Sequence, residues 1–282
     1  MAAAPAQIRI ESAAVTLAGD EYHVDGARGN VLLWHGGGQT RHSWKLTAER
    51  IAESGWTSVS FDTRGHGDSD WAPDGDYSMD ALVGDVAAAV QRYPEPVLVG
   101  ASLGGLMSLV SVGSGRVRAR GLVLVDVAPR IERDGTRRIG EFMRAHAQTG
   151  FADLTEVADA VAAYNRHRPR PSNLDGLRKN VRQRQDGRWY WHWDPRMMPQ
   201  DLDEPTRRVA VERLSAAARA VTTPTLLVRG RQSDVLSPEG VRDFRALVPH
   251  AQFVDVGDAG HMVAGDDNDA FASAVRLFLN SL

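Results

Sequence analysis

The sequence predicts an α/β fold, with a mostly parallel central sheet flanked by helices and one helical insertion after the sixth strand. Three observations carry this. Short apolar, β-branched runs alternate with helix-period segments along most of the chain. The alternation stops after Asp126 and resumes at Pro224. The 282 residues are 43% hydrophobic and 24% charged, enough for one large core plus an insertion.

Each element has its own signal. Residues 7–12 and 22–24 read as the strands of an opening hairpin, and 31–34 as a short buried strand stopped by Gly36-Gly37-Gly38. A helix over 44–54 ends at Gly55, and 57–61 is the next strand. Residues 79–92 form a helix with Ser78 as N-cap. The strand 96–99 runs into Gly100-Ala101-Ser102, the helix 103–112 follows, and 121–125 is the sixth strand. From about Arg130 to Ala218 no buried-strand pattern occurs, and helical periodicity and proline turns dominate. The core rhythm returns with strands over 224–228 and 251–256 and helices over 238–247 and 269–279. The expected organisation is core over 1–129, helical cap over 130–218 and core over 219–282.

Composition narrows the function. With 33 basic and 36 acidic residues the net charge is −3, which argues against a nucleic-acid binder. The Arg-rich stretch from Arg166 to Arg188 reads as a solvated helix face. There are no cysteines, so disulfides, thiol catalysis and thiolate metal sites are excluded. The first residues lack the basic and apolar regions of a signal peptide, and no run of about 18 apolar residues exists. A cytoplasmic protein is expected, without membrane or nucleic-acid partners and monomeric or homodimeric.

Gly100-Ala101-Ser102-Leu103-Gly104 matches Gly-x-Ser-x-Gly between an apolar strand and a helix. A sharp strand-to-helix turn crowds the backbone, and glycines relieve the crowding. Such a turn lifts the Ser102 hydroxyl above the sheet edge, at a helix N-terminus where the dipole favours developing negative charge. On this motif the chain resembles the α/β-hydrolase superfamily along nearly its whole length. Gly105 extends the elbow to the form common in that family's small esterases, lactonases and carbon–carbon hydrolases. Serine at the nucleophile position departs from the family's dehalogenases and epoxide hydrolases, which use aspartate.

The resemblance extends to other segments. His35-Gly36-Gly37-Gly38 resembles the family's oxyanion loop. It implies backbone N–H donors at Leu103 and at Gly37, with Gly38 the alternative to Gly37, and a structural His35. His261, in Gly257-Asp258-Ala259-Gly260-His261, follows a late strand and is the expected base. Asp234, in Gly230-Arg231-Gln232-Ser233-Asp234, is the expected acid, which orients the imidazole. Asp126 competes, because some members carry the acid after the earlier strand. It is otherwise expected at the pocket edge or anchoring the cap. Asp62-Thr63-Arg64-Gly65-His66-Gly67-Asp68-Ser69 resembles a turn that marks the fold, and its charges are assigned to loop structure rather than to a metal.

The expected activity is hydrolysis of a carboxylic ester or lactone of a small apolar or aromatic substrate, through an acyl-enzyme and without cofactor or metal. Gly38, Met143, Trp191, Trp193 and Met262 are the expected substrate contacts, and the cap, which supplies Met143, Trp191 and Trp193, also holds Trp189, Tyr190, Met197 and Met198. The alternatives are a carbon–carbon hydrolase, a cofactor-free perhydrolase or haloperoxidase, and a slow-turnover receptor of the same fold.

Overall fold

A computed structural model describes residues 4–164, 170–197, 203–263 and 268–282. Ten strands and eight helices are present among them. In chain order they are β1 (Ala6–Ser12), β2 (Val15–Tyr22), β3 (Asn30–Trp34), α1 (Lys45–Glu53), β4 (Thr57–Phe61), α2 (Met79–Arg92), β5 (Val97–Ala101), α3 (Leu103–Gly113) and β6 (Gly121–Val125). Then follow α4 (Arg133–Arg144), α5 (Leu154–Tyr164), β7 (Val181–Gln183), β8 (Trp189–Trp191), α6 (Glu204–Ala220), β9 (Thr225–Gly230), α7 (Pro238–Leu247), β10 (Gln252–Val256) and α8 (Asn268–Asn280).

Eight strands make one sheet in the order β1-β2-β4-β3-β5-β6-β9-β10. β1 and β2 pair antiparallel, as do β2 and β4, and every other pair is parallel. Parallel strands covered on both faces are apolar throughout, and β6 is buried at all of its residues. Period-two alternation splits β3 between two cores. Leu32 and Trp34 join the layer shared with α2, α3 and α7, while Val31 and Leu33 join the layer of α1 and α8. The chain leaves β3 toward β4 and leaves β5 toward β6. The sheet order therefore reverses between β3 and β5, where the carboxyl ends of adjacent strands leave a crevice.

Two departures from the sequence reading have physical causes. The second hairpin strand is Val15–Tyr22, not 22–24. Gly19 lies inside this strand, packed so close that a Cβ there would come 3.0 Å from the Phe61 ring. The segment between β6 and β9 is not purely helical. β7 and β8 form an antiparallel hairpin, and Trp189 also bridges Phe151. Aromatic residues suit a pleated surface, and Trp189-Tyr190-Trp191 pairs there. Among the described residues no helix is long and apolar enough to cross a membrane.

Candidate active site

Ser102 stands between β5 and α3 at φ +47° and ψ −115°. Few non-glycine residues adopt positive φ, and such strain persists only where the surroundings enforce it. Here they do. The Ser102 N–H donates to the Val125 carbonyl at 3.1 Å and the Gly104 N–H to the His35 carbonyl at 3.2 Å. A Cβ on Gly100 would overlap the Gly104 backbone, and one on Gly104 would overlap the Trp34 carbonyl. The glycines are thus demanded by the contact of β5, α3 and the end of β3.

That contact brings the triglycine loop against the serine, so a Cβ on Gly36 would lie 3.3 Å from Ser102 Cβ. His35 is fully buried, its Nδ1 2.8 Å from the Gly36 carbonyl, and its Nε2 accepts the Thr63 N–H at 3.0 Å. Burial lowers its pKa. This is the structural position expected for it. His66 stacks edge-on against His35, with ring centroids 4.8 Å apart. Its Nε2 accepts the Gly38 N–H at 3.0 Å. That bond commits the Gly38 donor and removes it as the alternative oxyanion donor. Among the described residues no hydrogen bond is formed by the N–H of Gly37 or of Leu103. The Gly36 N–H donates to Gln39 Oε1 at 3.0 Å, and Gln39 Nε2 donates to Met262 Sδ at 2.6 Å. Gln39 therefore ties the glycine loop to the residue after His261, a link the sequence reading missed.

His261 Nδ1 lies 2.7 Å from Asp126 Oδ2, not from Asp234. Asp126 is 0% exposed, has φ +52°, and accepts the Gly230 N–H at 2.9 Å and the Ser233 hydroxyl at 2.5 Å. Asp234 is 35% exposed and ion-paired to Arg138 of α4 at 2.5 Å. The two aspartates thus exchange the positions expected of them. The cause is topological: β6 and β9 are neighbours, so both following loops reach the same sheet edge. The last residue of β9, Gly230, and Ser233 in the loop after it donate to Asp126.

The Asp62–Ser69 turn is built from its own charges. Asp62 is ion-paired with Arg41 and accepts the Asp68 N–H at 2.9 Å. Arg64 forks onto Asp85 with both bonds at 2.7 Å. The segment between β6 and β9 docks on this turn. Gly67 N–H donates to His192 Nδ1 at 2.7 Å, and the Tyr77 hydroxyl donates to Asp194 at 2.5 Å.

Ser102 and His261 line one cavity of about 290 Å³. Gly37, Gly38, Met143, Trp191, Trp193 and Met262 line it too. Trp191 and Trp193 stack 4.8 Å apart, and a Cβ on Gly38 would lie 3.4 Å from Trp193. Trp189, Tyr190 and Met197 are not among its lining residues, and Met198 and His167 lie outside the described residues. Also lining it are Lys179 and Asn180, from the Arg-rich stretch read as a solvated face.

A family model described as alpha/beta hydrolase fold matches residues 29–267. The chain is 28% identical over 264 residues to an esterase of Mycobacterium tuberculosis, covering 91% of this chain and 84% of that protein. It is 28% identical over 272 residues to 3-hydroxybutyrate-oligomer hydrolase of Cupriavidus necator, covering 90% of each. The crystal structure of E-2-(acetamidomethylene)succinate hydrolase superposes with a TM-score of 0.82 at 24% identity, covering 98% of this chain and 99% of that one. That last likeness is one of fold.

Proposed function

Because the chain belongs to the α/β-hydrolase fold family and is a hydrolase, we propose that it cleaves a carboxylic ester or lactone of a small, partly apolar substrate through a Ser102 acyl-enzyme. The observation that carries this reading is the pairing of His261 with buried Asp126 in the cavity that also holds the strained Ser102 turn. With Nδ1 taken by Asp126, Nε2 is the ring nitrogen left to receive a proton.

Ser102 Oγ attacks the carbonyl carbon as its proton passes to His261 Nε2. The carbonyl π electrons move onto oxygen, where the Gly37 and Leu103 N–H groups stabilise the charge. One donor of this kind is worth about 3–4 kcal/mol. As the tetrahedral intermediate collapses, the C–O bond to the alcohol breaks and His261 returns the proton to the leaving oxygen. Water, deprotonated by the same nitrogen, attacks the acyl-enzyme and releases the acid and free Ser102. Asp126 holds the imidazole in the tautomer this cycle needs. The 130–218 segment acts as a cap, and Met143, Trp191 and Trp193 exclude water from the acyl or alkyl group. Esterase and oligoester hydrolase relatives support ester chemistry.

Intact mass after treatment with a fluorophosphonate tests the reading. One adduct mapping to Ser102, absent in Ser102→Ala, is the expected result. A well-folded protein that takes up no label, or a Ser102→Ala variant that keeps full esterase activity, overturns it.

A further inference from the structure

The cavity has two walls of different chemistry. One is apolar, made by Ile139, Phe142, Met143, Val161, Trp191 and Trp193. The other carries Gln39, Thr40, His42, Ser43, Lys179 and Asn180. Among the described residues no carboxylate lines either wall. The cavity thus joins an apolar side to a polar side with one lysine on it.

That lysine is unusual in this chain. Of 33 basic residues only two are lysines, Lys45 and Lys179, and Lys45 pairs with Glu49. The arginines flanking Lys179 are also paired, Arg178 with Asp175 and Arg182 with Asp68. Among the described residues no ion pair or hydrogen bond is formed by the Lys179 ammonium. Lys179 lines the cavity yet is solvent-exposed, which sets it at the open end. Beside His42, at 3.6 Å, is the Asp20 carboxylate, and it is already committed to Arg41 Nε at 3.0 Å. Burial and then the charge of Arg41 lower the pKa of His42, with a smaller contribution from Lys179. The permanent cation of this wall is the lysine.

We propose that Lys179, with Asn180 beside it, forms a carboxylate-binding subsite at the cavity mouth, selecting esters that carry an anionic group remote from the reacting carbonyl. This rests on the ester-hydrolase reading and names its substrate class. A single ammonium is one positive point charge, which matches the charge of a monoanion. The apolar wall takes the methylene chain, and the charge stays at the wet end, where it keeps part of its hydration.

A matched pair of esters tests it: para-nitrophenyl hexanoate and the para-nitrophenyl monoester of adipic acid. Binding to Ser102→Ala is measured by calorimetry, and turnover by the wild-type enzyme is followed separately. The adipate monoester should bind the tighter, with a preference that shrinks as salt is raised. Lys179→Gln in the Ser102→Ala background should weaken that binding about tenfold and leave the hexanoate ester within about twofold. Lys179→Arg should keep the preference and Lys179→Glu reverse it. Equal weakening of both esters, or a preference that survives Lys179→Gln, overturns the subsite. A wild-type enzyme that binds the monoester through Lys179 yet hydrolyses neither ester would uphold the subsite and overturn the hydrolytic reading instead.

Discussion

At the scale of single residues, the division of labour between two aspartates decides how the site is understood. Asp126 is buried and gives its carboxylate oxygens to His261, Gly230 and Ser233. Asp234 holds Arg138 at the protein surface. An amide at position 126 presents an N–H to a neighbour that is itself a donor, so one bond is lost and the imidazole tautomer is no longer specified. Asp126→Asn should therefore lower kcat/KM by roughly 10³–10⁴-fold. Asp234→Asn should stay within about fivefold, since an exposed ion pair contributes about 1 kcal/mol or less. Steady-state kinetics on one ester compares them, and the reverse order returns the acid to Asp234. The contrast also shows what sequence can carry. Ser102 and His261 sit in local backbone motifs and were legible as such. The partner of His261 was not, because two neighbouring strands each end near an aspartate and only tertiary packing aims one, Asp126, at the histidine. The link made by Gln39 was hidden for the same reason, Met262 being far away in the chain.

At the scale of elements, close approach of backbones governs this fold more than propensity does. The α/β alternation was legible because buried parallel strands and amphipathic helices carry different periods. β2 begins well before the expected 22–24, and its Gly19 is small for the sake of the Phe61 ring, which a Cβ would approach to 3.0 Å. The same physics makes a prediction at the elbow. Gly104 lies in the first turn of α3, where alanine would improve helix propensity by about 1 kcal/mol. A methyl there would overlap the Trp34 carbonyl, which is backbone and cannot move aside cheaply. The net effect of Gly104→Ala should be a loss of stability of about 1–3 kcal/mol, together with a fall in kcat as the Leu103 N–H shifts. Urea unfolding and ester kinetics measure both. A variant as stable and as active as wild type would show that α3 can slide away from β3.

At the scale of the whole molecule, three buried histidines couple the core, the glycine loop and the segment between β6 and β9 to pH. His35 and His66 stack edge-on, and His192, from the segment between β6 and β9, lies 5.7 Å from His66. Each uses a ring nitrogen to accept a backbone N–H, from Thr63, Gly38 and Gly67 respectively. Protonation would destroy those acceptors, and burial, the largest cause in all three, already disfavours charge. Their pKa values fall from 6.5, that of His192 to about 3. A base whose folded pKa lies below its unfolded one takes up a proton on unfolding. Its stabilisation is therefore whole above 6.5 and is lost progressively as pH falls toward the folded pKa. The slope is about 1.4 kcal/mol per pH unit for each such proton. The carboxylates with lowered values, Asp68, Asp76, Asp186, Asp194 and Asp203, start from 3.8 and act only at more acid pH. Between pH 6.5 and about 5 the histidines dominate. Urea unfolding across that window should show stability falling with acid, and His192→Gln should be less stable at neutral pH yet shallower in slope by about one proton. An unchanged slope in that variant would mean that His192 is charged in the folded protein, and that its bond to Gly67 does not hold the segment between β6 and β9 to the core.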